Sequence, residues 1–320
     1  MDKFLLFIEI KTKTVSVLAF LLGTAYAASR YGLSAIDPLV AAVLFVAVLL
    51  FDATTTAVNN HVEYRHRLAQ IARGETPHAP LRDYGMGKGG QLAAILLMLA
   101  GATAAGCWVA WHAGWVVLLT GVLCFGIGIL YSAGPLPIIR TPFGEAPSGF
   151  FMGVLIPFLA VYAQVHDPHP FLLRLTLDGD YLMLSTNLME SLPVLLLGIA
   201  PAAAIANVML ANNICDRETD LADRRYTLPV LVGPKASLRL FAALYVVAGL
   251  AFLVQAASGW MTPWILLALV PGPWIVGGVR LFFAKQDKAT TFPLSIRSLM
   301  LLMIPSILVF AADAVAKALL

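Results

Sequence analysis

The sequence predicts an all-α polytopic membrane protein, nine transmembrane helices around a central cavity, and three observations carry that expectation. Of 320 residues, 60% are apolar and 12% charged, where a soluble domain has roughly 45–50% and 25%. The mean hydropathy is +0.84, and apolar runs recur at close to the ~20 residues a helix needs to cross a bilayer. Those runs are continuous rather than alternating, which argues against a membrane β-barrel. The composition is not that of a water-soluble enzyme. A formal charge of +3, divided among loops, gives no footing for nucleic acid, and no such partner is expected.

Hydropathy windows place the spans at 14–33, 38–60, 91–111, 114–133, 146–164, 191–212, 237–257, 261–282 and 297–316. The first follows Lys11 and Lys13, and its Ala25-Tyr26-Ala27 before Ala28 resembles a signal-peptide cleavage site. A basic-flanked first helix followed by many spans is read instead as an uncleaved anchor. Upstream, Phe4, Leu5 and Ile8 have helical spacing, fitting either a helix on the membrane surface or the first turns of span 1. Span 2 runs into polar residues, as does span 6. Gly85, Gly87, Gly89 and Gly90 around Lys88 are read as a flexible lead-in to span 3 rather than a phosphate loop. Cys107 and Cys124 lie in apolar runs and pack there; no CxxC or Cys/His spacing supports zinc. The segment 165–190, with Asp167, Asp178, Asp180 and Glu190, is expected to form a short surface helix or turn. With the N-terminus inside, 18 of the 21 Lys and Arg fall on the inner side, which sets the N-terminus and the charged loops in the cytoplasm. Residues 1–320 are taken as a single intramembrane domain.

The chemistry lies at the inner ends of spans 2 and 6. Asp52, Thr56, Asn59 and Glu63 follow at spacings of four, three and four, which puts them on one helical face. An ionisable side chain facing lipid costs on the order of 3 kcal/mol or more, so the stripe should face a bundle interior or aqueous cavity; the alternative is a helix end dissolving into a solvated loop. Asn212, Asp216 and Asp220 recur every four residues at the end of span 6. The two sets, N-x-x-x-E and N-x-x-x-D-x-x-x-D, form a weak internal repeat.

Carboxylates and amides at these spacings supply hard oxygen ligands suited to magnesium, which keeps several waters and shares its coordination with substrate phosphates. Arg65 and Arg67 follow the first set, and Arg217, Arg224 and Arg225 the second; guanidinium groups bind phosphate bidentately. No Walker A motif is present, and Gly85-x-Gly87-x-x-Gly90 is read as the lead-in to span 3, which disfavours nucleotide and dinucleotide chemistry. A diphosphate substrate whose site lies at the end of membrane helices is expected to lodge an apolar tail among them. A polyprenyl diphosphate meets that description: its allylic C–O bond ionises once the diphosphate is neutralised, and an aromatic face such as Tyr131 can stabilise the cation.

At these residues the sequence resembles the UbiA-type superfamily of intramembrane aromatic prenyltransferases. Asn59-Asn60-His61-Val62-Glu63 stands for its N-D-x-x-D motif, with Asn60 in place of an acid. Asn212-Asn213-Ile214-Cys215-Asp216 through Asp220 stands for N-D-x-x-D-x-x-x-D, and Thr227-Leu228-Pro229-Val230 through Gly233 for the following T-L-P-V-x-x-G. Tyr131-Ser132-Ala133-Gly134-Pro135-Leu136-Pro137, Phe143-Gly144-Glu145 and Lys13-Thr14 resemble the branch that prenylates 1,4-dihydroxy-2-naphthoate in menaquinone biosynthesis. The resemblance implies nine helices, a cavity open to the bilayer, magnesium, a polyprenyl diphosphate donor and an aromatic acceptor. It implies that Asn59, Glu63, Asp216 and Asp220 ligate magnesium, with Asn60, Asn212 and Asn213 in support. Arg65, Arg140 and Arg224 would engage diphosphate, and Lys13 or His61 would hold the acceptor's carboxylate. Decarboxylative prenyl transfer giving demethylmenaquinol, in a bacterial plasma membrane and without an obligate protein partner, is the activity so implied; 4-hydroxybenzoate, homogentisate or a lipid headgroup are alternative acceptors.

Two other classes fit less well. A secondary transporter also carries intramembrane acids and a repeat, but places them near the midplane on broken helices, whereas these cluster at the cytoplasmic ends. A CDP-alcohol phosphotransferase would need a DG-x-x-AR signature, which is absent.

Overall fold

Apolar runs with polar, glycine or proline punctuation become helices wherever lipid leaves backbone groups no other partner. The computed structural model describes residues 2–74, 81–132, 137–165 and 173–320. Helix α1 (Asp2–Phe7) and a 3-10 turn (Ile10–Lys13) precede α2 (Thr14–Tyr31). Glu9, at φ 50°, separates them, so α1 is a helix of its own and not the start of the span. Phe7 and Ile8 are buried with Ala53, Ala57 and Tyr84, so one side of this segment packs into the protein, while Phe4, Leu6 and Ile10 on it are exposed.

Helix α3 (Pro38–Ala72) starts at Asp37, whose Oδ1 accepts from the amides of Leu39 and Val40. At 35 residues it is ~52 Å long, well beyond a ~30 Å hydrocarbon core, and carries the whole polar stripe from Asp52 to Glu63 on one helix. Helices α4 (Lys88–Ala113) and α5 (Trp115–Ser132) turn at Gly114, whose φ of 97° requires glycine. Gly87 caps α4, so the glycine-rich stretch serves as a lead-in to this helix. The next span is bent: α6 (Glu145–Phe150), a π turn (Phe151–Leu155) and α7 (Ile156–Tyr162).

Strands β1 (Leu173–Asp178) and β2 (Tyr181–Thr186) form an antiparallel hairpin. This corrects the expected helix or turn in 165–190: Leu173, Leu175 and Leu177 alternate with polar residues at period two, and Gly179 at φ 57° makes the turn. Asp167 lies outside the described residues.

There follow α8 (Leu188–Cys215), α9 (Arg217–Ala222), α10 (Leu228–Val232), α11 (Pro234–Ala257), a 3-10 segment (Pro263–Leu269), α12 (Gly272–Ala284) and α13 (Phe292–Leu319). Among the described residues eight helical spans are long and apolar enough to cross a membrane. Helix α2 is the ninth expected span; it is less apolar because α3, α7 and α13 enclose it, leaving less of it to face lipid. Ala25–Ala28 lie within it, with Ala27 fully buried.

Two contacts set the frame of the site. Gly149 and Gly153 press against α8: a Cβ on Gly153 would lie 2.4 Å from the Cα of Ala202, and one on Gly149 2.6 Å from its carbonyl oxygen. This small-xxx-small approach docks the start of α6 beside the end of α8. At the far end Glu190 accepts from Arg30 Nε at 3.1 Å and Tyr31 Oη at 2.8 Å, while Arg30 also donates to the Trp260 carbonyl.

Candidate active site

The C-terminal part of α3 and the α8–α9 junction face each other, and one guanidinium joins them. Arg225 Nη2 lies 3.1 Å from Glu63 Oε2, and its Nη1 3.7 Å from Asp220 Oδ1. Local backbone geometry aims it. After α9 the Arg225 amide donates to the Asp220 carbonyl at 2.7 Å and the Arg224 amide to that of Leu221 at 3.2 Å, with Arg224 at φ 54°. This is a Schellman ending built without glycine, and it folds the chain so that Arg225 returns over Asp220. Thr227, the residue before α10, donates its hydroxyl to Asp220 Oδ2 at 3.1 Å. Burial raises the Asp220 carboxyl above the ordinary carboxylate range, against the pull of Arg225 and the Thr227 hydrogen bond.

Asn212 and Asp216 converge on a cation supplied by the chain itself. Lys288 Nζ donates to Asn212 Oδ1 at 2.5 Å and also to Asp216 Oδ2. Its loop is braced by Asp287, whose Oδ1 accepts from the amides of Ala289 and Thr290. Asn213 Nδ2 donates to the buried Glu145 Oε1 at 2.9 Å, while Glu145 Oε2 is buried without a hydrogen-bond partner. Oxygen ligands that already gather around an ammonium suit a hard divalent cation. Among the described residues no cluster of three or more His, Cys, Asp or Glu is assembled. The donor set therefore fits magnesium held by one or two carboxylates, with amides, water and phosphate completing the shell.

The basic residues are distributed differently from the sequence expectation. Arg65 is exposed, because two residues along a helix is 200° of rotation away from Glu63; Arg67, one turn on, hydrogen-bonds Glu63 Oε1. Arg224 is exposed, and Arg225 takes the place expected for it. Arg140 lies near this group: its charge acts on Glu63, and its carbonyl accepts from the Tyr226 amide at 3.0 Å. Asn59 shares the Glu63 face. Asn60, 100° away, is buried and donates to the Phe7 carbonyl at 2.9 Å, so it fastens α1 rather than facing the site. His61 pairs with Gln91 Oε1 at 2.9 Å. Lys13 is buried, and its three donors go to the Asp52 carbonyl, Asp52 Oδ1 at 2.5 Å and Thr56 Oγ1 at 2.7 Å, leaving none for an acceptor's carboxylate. Lys288 and Thr227 escaped sequence reasoning as site residues.

Further into the bundle a cavity of about 480 Å³ is walled by α3, α4, α5 and the α6–α7 span. Its lining is mostly apolar. Asp52, Ser16, Tyr131 and Ser148 supply polar atoms, and the Tyr131 hydroxyl hydrogen-bonds Ser148 Oγ at 3.1 Å. Cys107, Val122 and Phe125 line the cavity and are also exposed, so it reaches the lipid-facing surface of α4 and α5. Of the Tyr131–Pro137 motif, residues 133–136 lie outside the described residues.

A bundle of membrane helices with a lipid-facing apolar cavity, and acids and arginines gathered at one end, defines an intramembrane enzyme handling an amphiphilic anion. Residues 16–303 match the UbiA prenyltransferase family, and the chain belongs to it: it is an integral membrane prenyltransferase. It is 27% identical over 275 residues to a 1,4-dihydroxy-2-naphthoate octaprenyltransferase of Bacillus subtilis, covering 86% of this chain and 80% of the relative. The fold is similar to that of a UbiA homologue from Aeropyrum pernix K1, with a TM-score of 0.67 at 17% identity over 92% of this chain and 98% of the other. A UbiA homologue from Archaeoglobus fulgidus, whose structure holds DMAPP and Mg2+, gives a TM-score of 0.57 at 16% identity over 98% of both chains.

Proposed function

We propose that residues 1–320 form one catalytic unit that transfers a polyprenyl group from its diphosphate to 1,4-dihydroxy-2-naphthoate, with loss of carbon dioxide, giving demethylmenaquinol. The observation that carries this reading is Arg225 spanning Glu63 and Asp220 beside an apolar cavity that opens on lipid. The naphthoate acceptor is supported by the relative's activity and by the Lys13-Thr14 and Phe143-Gly144-Glu145 elements.

Asp216 and Asp220, with the amide oxygens of Asn212 and Asn213, would hold magnesium, and Asn59 and Glu63 face them from α3. Bound there, magnesium supplies positive charge against the diphosphate oxygens. Arg67, Arg225 and Arg140 bind the same oxygens and stabilise the charge that builds as the allylic C–O bond breaks. The cavity takes the tail and excludes water from the carbocation, and the Tyr131 ring offers its face to that cation. The uneven distribution of basic residues supports a diphosphate end facing the cytoplasm, and the Bacillus relative supports a bacterial plasma membrane.

Purified protein in detergent, given geranyl diphosphate and a panel of aromatic acids, should release diphosphate and carbon dioxide with the naphthoate, and EDTA should stop it. Turnover that ignores chelation, or that prefers another acceptor, refutes the corresponding part.

A further inference from the structure

A carboxylate on the wall of an apolar membrane cavity is costly unless it is paired or used. Asp52 is the acid that lines this cavity among the described residues, its side chain 15% exposed beside Ser16 and Tyr131. Lys13 Nζ holds Oδ1 at 2.5 Å, and the Ser16 hydroxyl holds Oδ2. An ionised carboxylate has about four lone-pair positions, so two remain to accept hydrogen bonds from the cavity side. Such a group recognises only a ligand that brings its own O–H or N–H. Lys13, whose donors are all spent, acts on the cavity through Asp52 alone. Asp52 also lies on the Glu63 face of α3, eleven residues away or ~16 Å along the helix, with Thr56 and Asn59 between.

We propose that Asp52 binds the aromatic acceptor by a ring hydroxyl and carries that proton during transfer, with Lys13 as its positioning residue. The proposal rests on the aromatic-acceptor reading above. The hydroxyl concerned is on the carbon next to the one bearing the carboxylate. When the carboxylate-bearing carbon gives its electron pair to the allylic cation, the neighbouring hydroxyl becomes a protonated ketone, a far stronger acid than a carboxylic acid. Asp52 takes that proton. The resulting β-keto carboxylate loses carbon dioxide, the C–C electron pair passing into the ring and onto the oxygen, and the enolate recovers the proton from Asp52. No proton is gained or lost overall, and no co-reactant is needed.

The test compares 1,4-dihydroxy-2-naphthoate with its 1-methyl ether, in wild type, Asp52→Asn and the doubly neutral Lys13→Met/Asp52→Leu, which leaves no unpaired ammonium. Wild type should bind the hydroxy acid about tenfold or more tighter than the ether, the discrimination of a site built to pair a hydroxyl. Both variants should bind the two within about twofold, while their affinity for geranyl diphosphate stays near that of wild type; a side chain with only a structural role would leave the hydroxyl preference intact. Equal binding of both acceptors by wild type overturns the proposal without any variant. So does a variant that keeps the wild-type preference; if that variant still transfers prenyl groups to the naphthoate, the function stands and only the Asp52 assignment falls. Wild type that prenylates no aromatic acid removes both.

Discussion

Replacing Arg225 with alanine tests the bridge between the two halves of the site. Its hydrogen bond to Glu63 at 3.1 Å is charge-assisted, whereas its 3.7 Å separation from Asp220 is too long for a hydrogen bond and acts by charge alone. The three side chains are 22%, 27% and 6% exposed. The bridge therefore lies between a screened surface pair, at ~0.5 kcal/mol, and a buried pair broken on one side, at ~3–5 kcal/mol. Glu63 keeps Arg67 and Asp220 keeps Thr227, which argues for the lower half of that range, about 2 kcal/mol of stability. A loss of that size leaves most molecules folded. If the same guanidinium meets the diphosphate, transfer should fall further, by ~10²–10³-fold, and Arg225→Lys should restore only part because it lacks the planar fork. Thermal unfolding in detergent beside turnover with saturating geranyl diphosphate separates the two effects. Alanine at 225 with turnover within threefold of wild type would refute the reasoning.

Further variants probe the frame. Gly153→Ala puts a Cβ 2.4 Å from the Ala202 backbone and should cost ~1–3 kcal/mol in thermal unfolding, while Gly126→Ala, with open space around it, should not destabilise. Arg224→Gly relieves the left-handed φ of 54° and should raise stability by ~1 kcal/mol. Asp216→Asn and Asp220→Asn should each cut turnover by orders of magnitude with unfolding temperatures close to wild type, and full activity in either would remove them from the metal site. The Asp287 carboxyl is held below the ordinary carboxylate range by the Thr290 hydroxyl and amide. Its turn is thus stabilised above the usual carboxylate pKa and released only as pH drops through the lowered value. Asp287→Ala should speed amide hydrogen exchange at Ala289 and Thr290 at neutral pH, and unchanged protection would count against that bracing.

The spans were legible because hydropathy and helix length are set by the bilayer, a constraint local to each segment. The polar stripe Asp52–Thr56–Asn59–Glu63 was legible for the same reason, since its spacing is the helix period. That period also selects Arg67 over Arg65, since only the residue one turn on shares the Glu63 face. The choice between Arg224 and Arg225 was not available there: it depends on a left-handed residue that is arginine where glycine is usual. Asn60 sits beside Asn59 in the chain yet faces α1, a tertiary contact no motif announces. Lys288 reaches Asp216 across 72 residues, so only the folded chain reveals the pair. The hairpin does leave a trace, the alternating leucines from Leu173, but in a short stretch that period is a weaker signal than the hydropathy of the flanking spans.

The placement of Lys288 bears on how the proposed metal site would behave without its ion. Acids left bare would repel one another and loosen the mouth of the bundle, but a resident ammonium already neutralises Asp216 and engages Asn212. Chelated enzyme should accordingly stay intact, and regain turnover on recharging as fast as one side chain can swing aside.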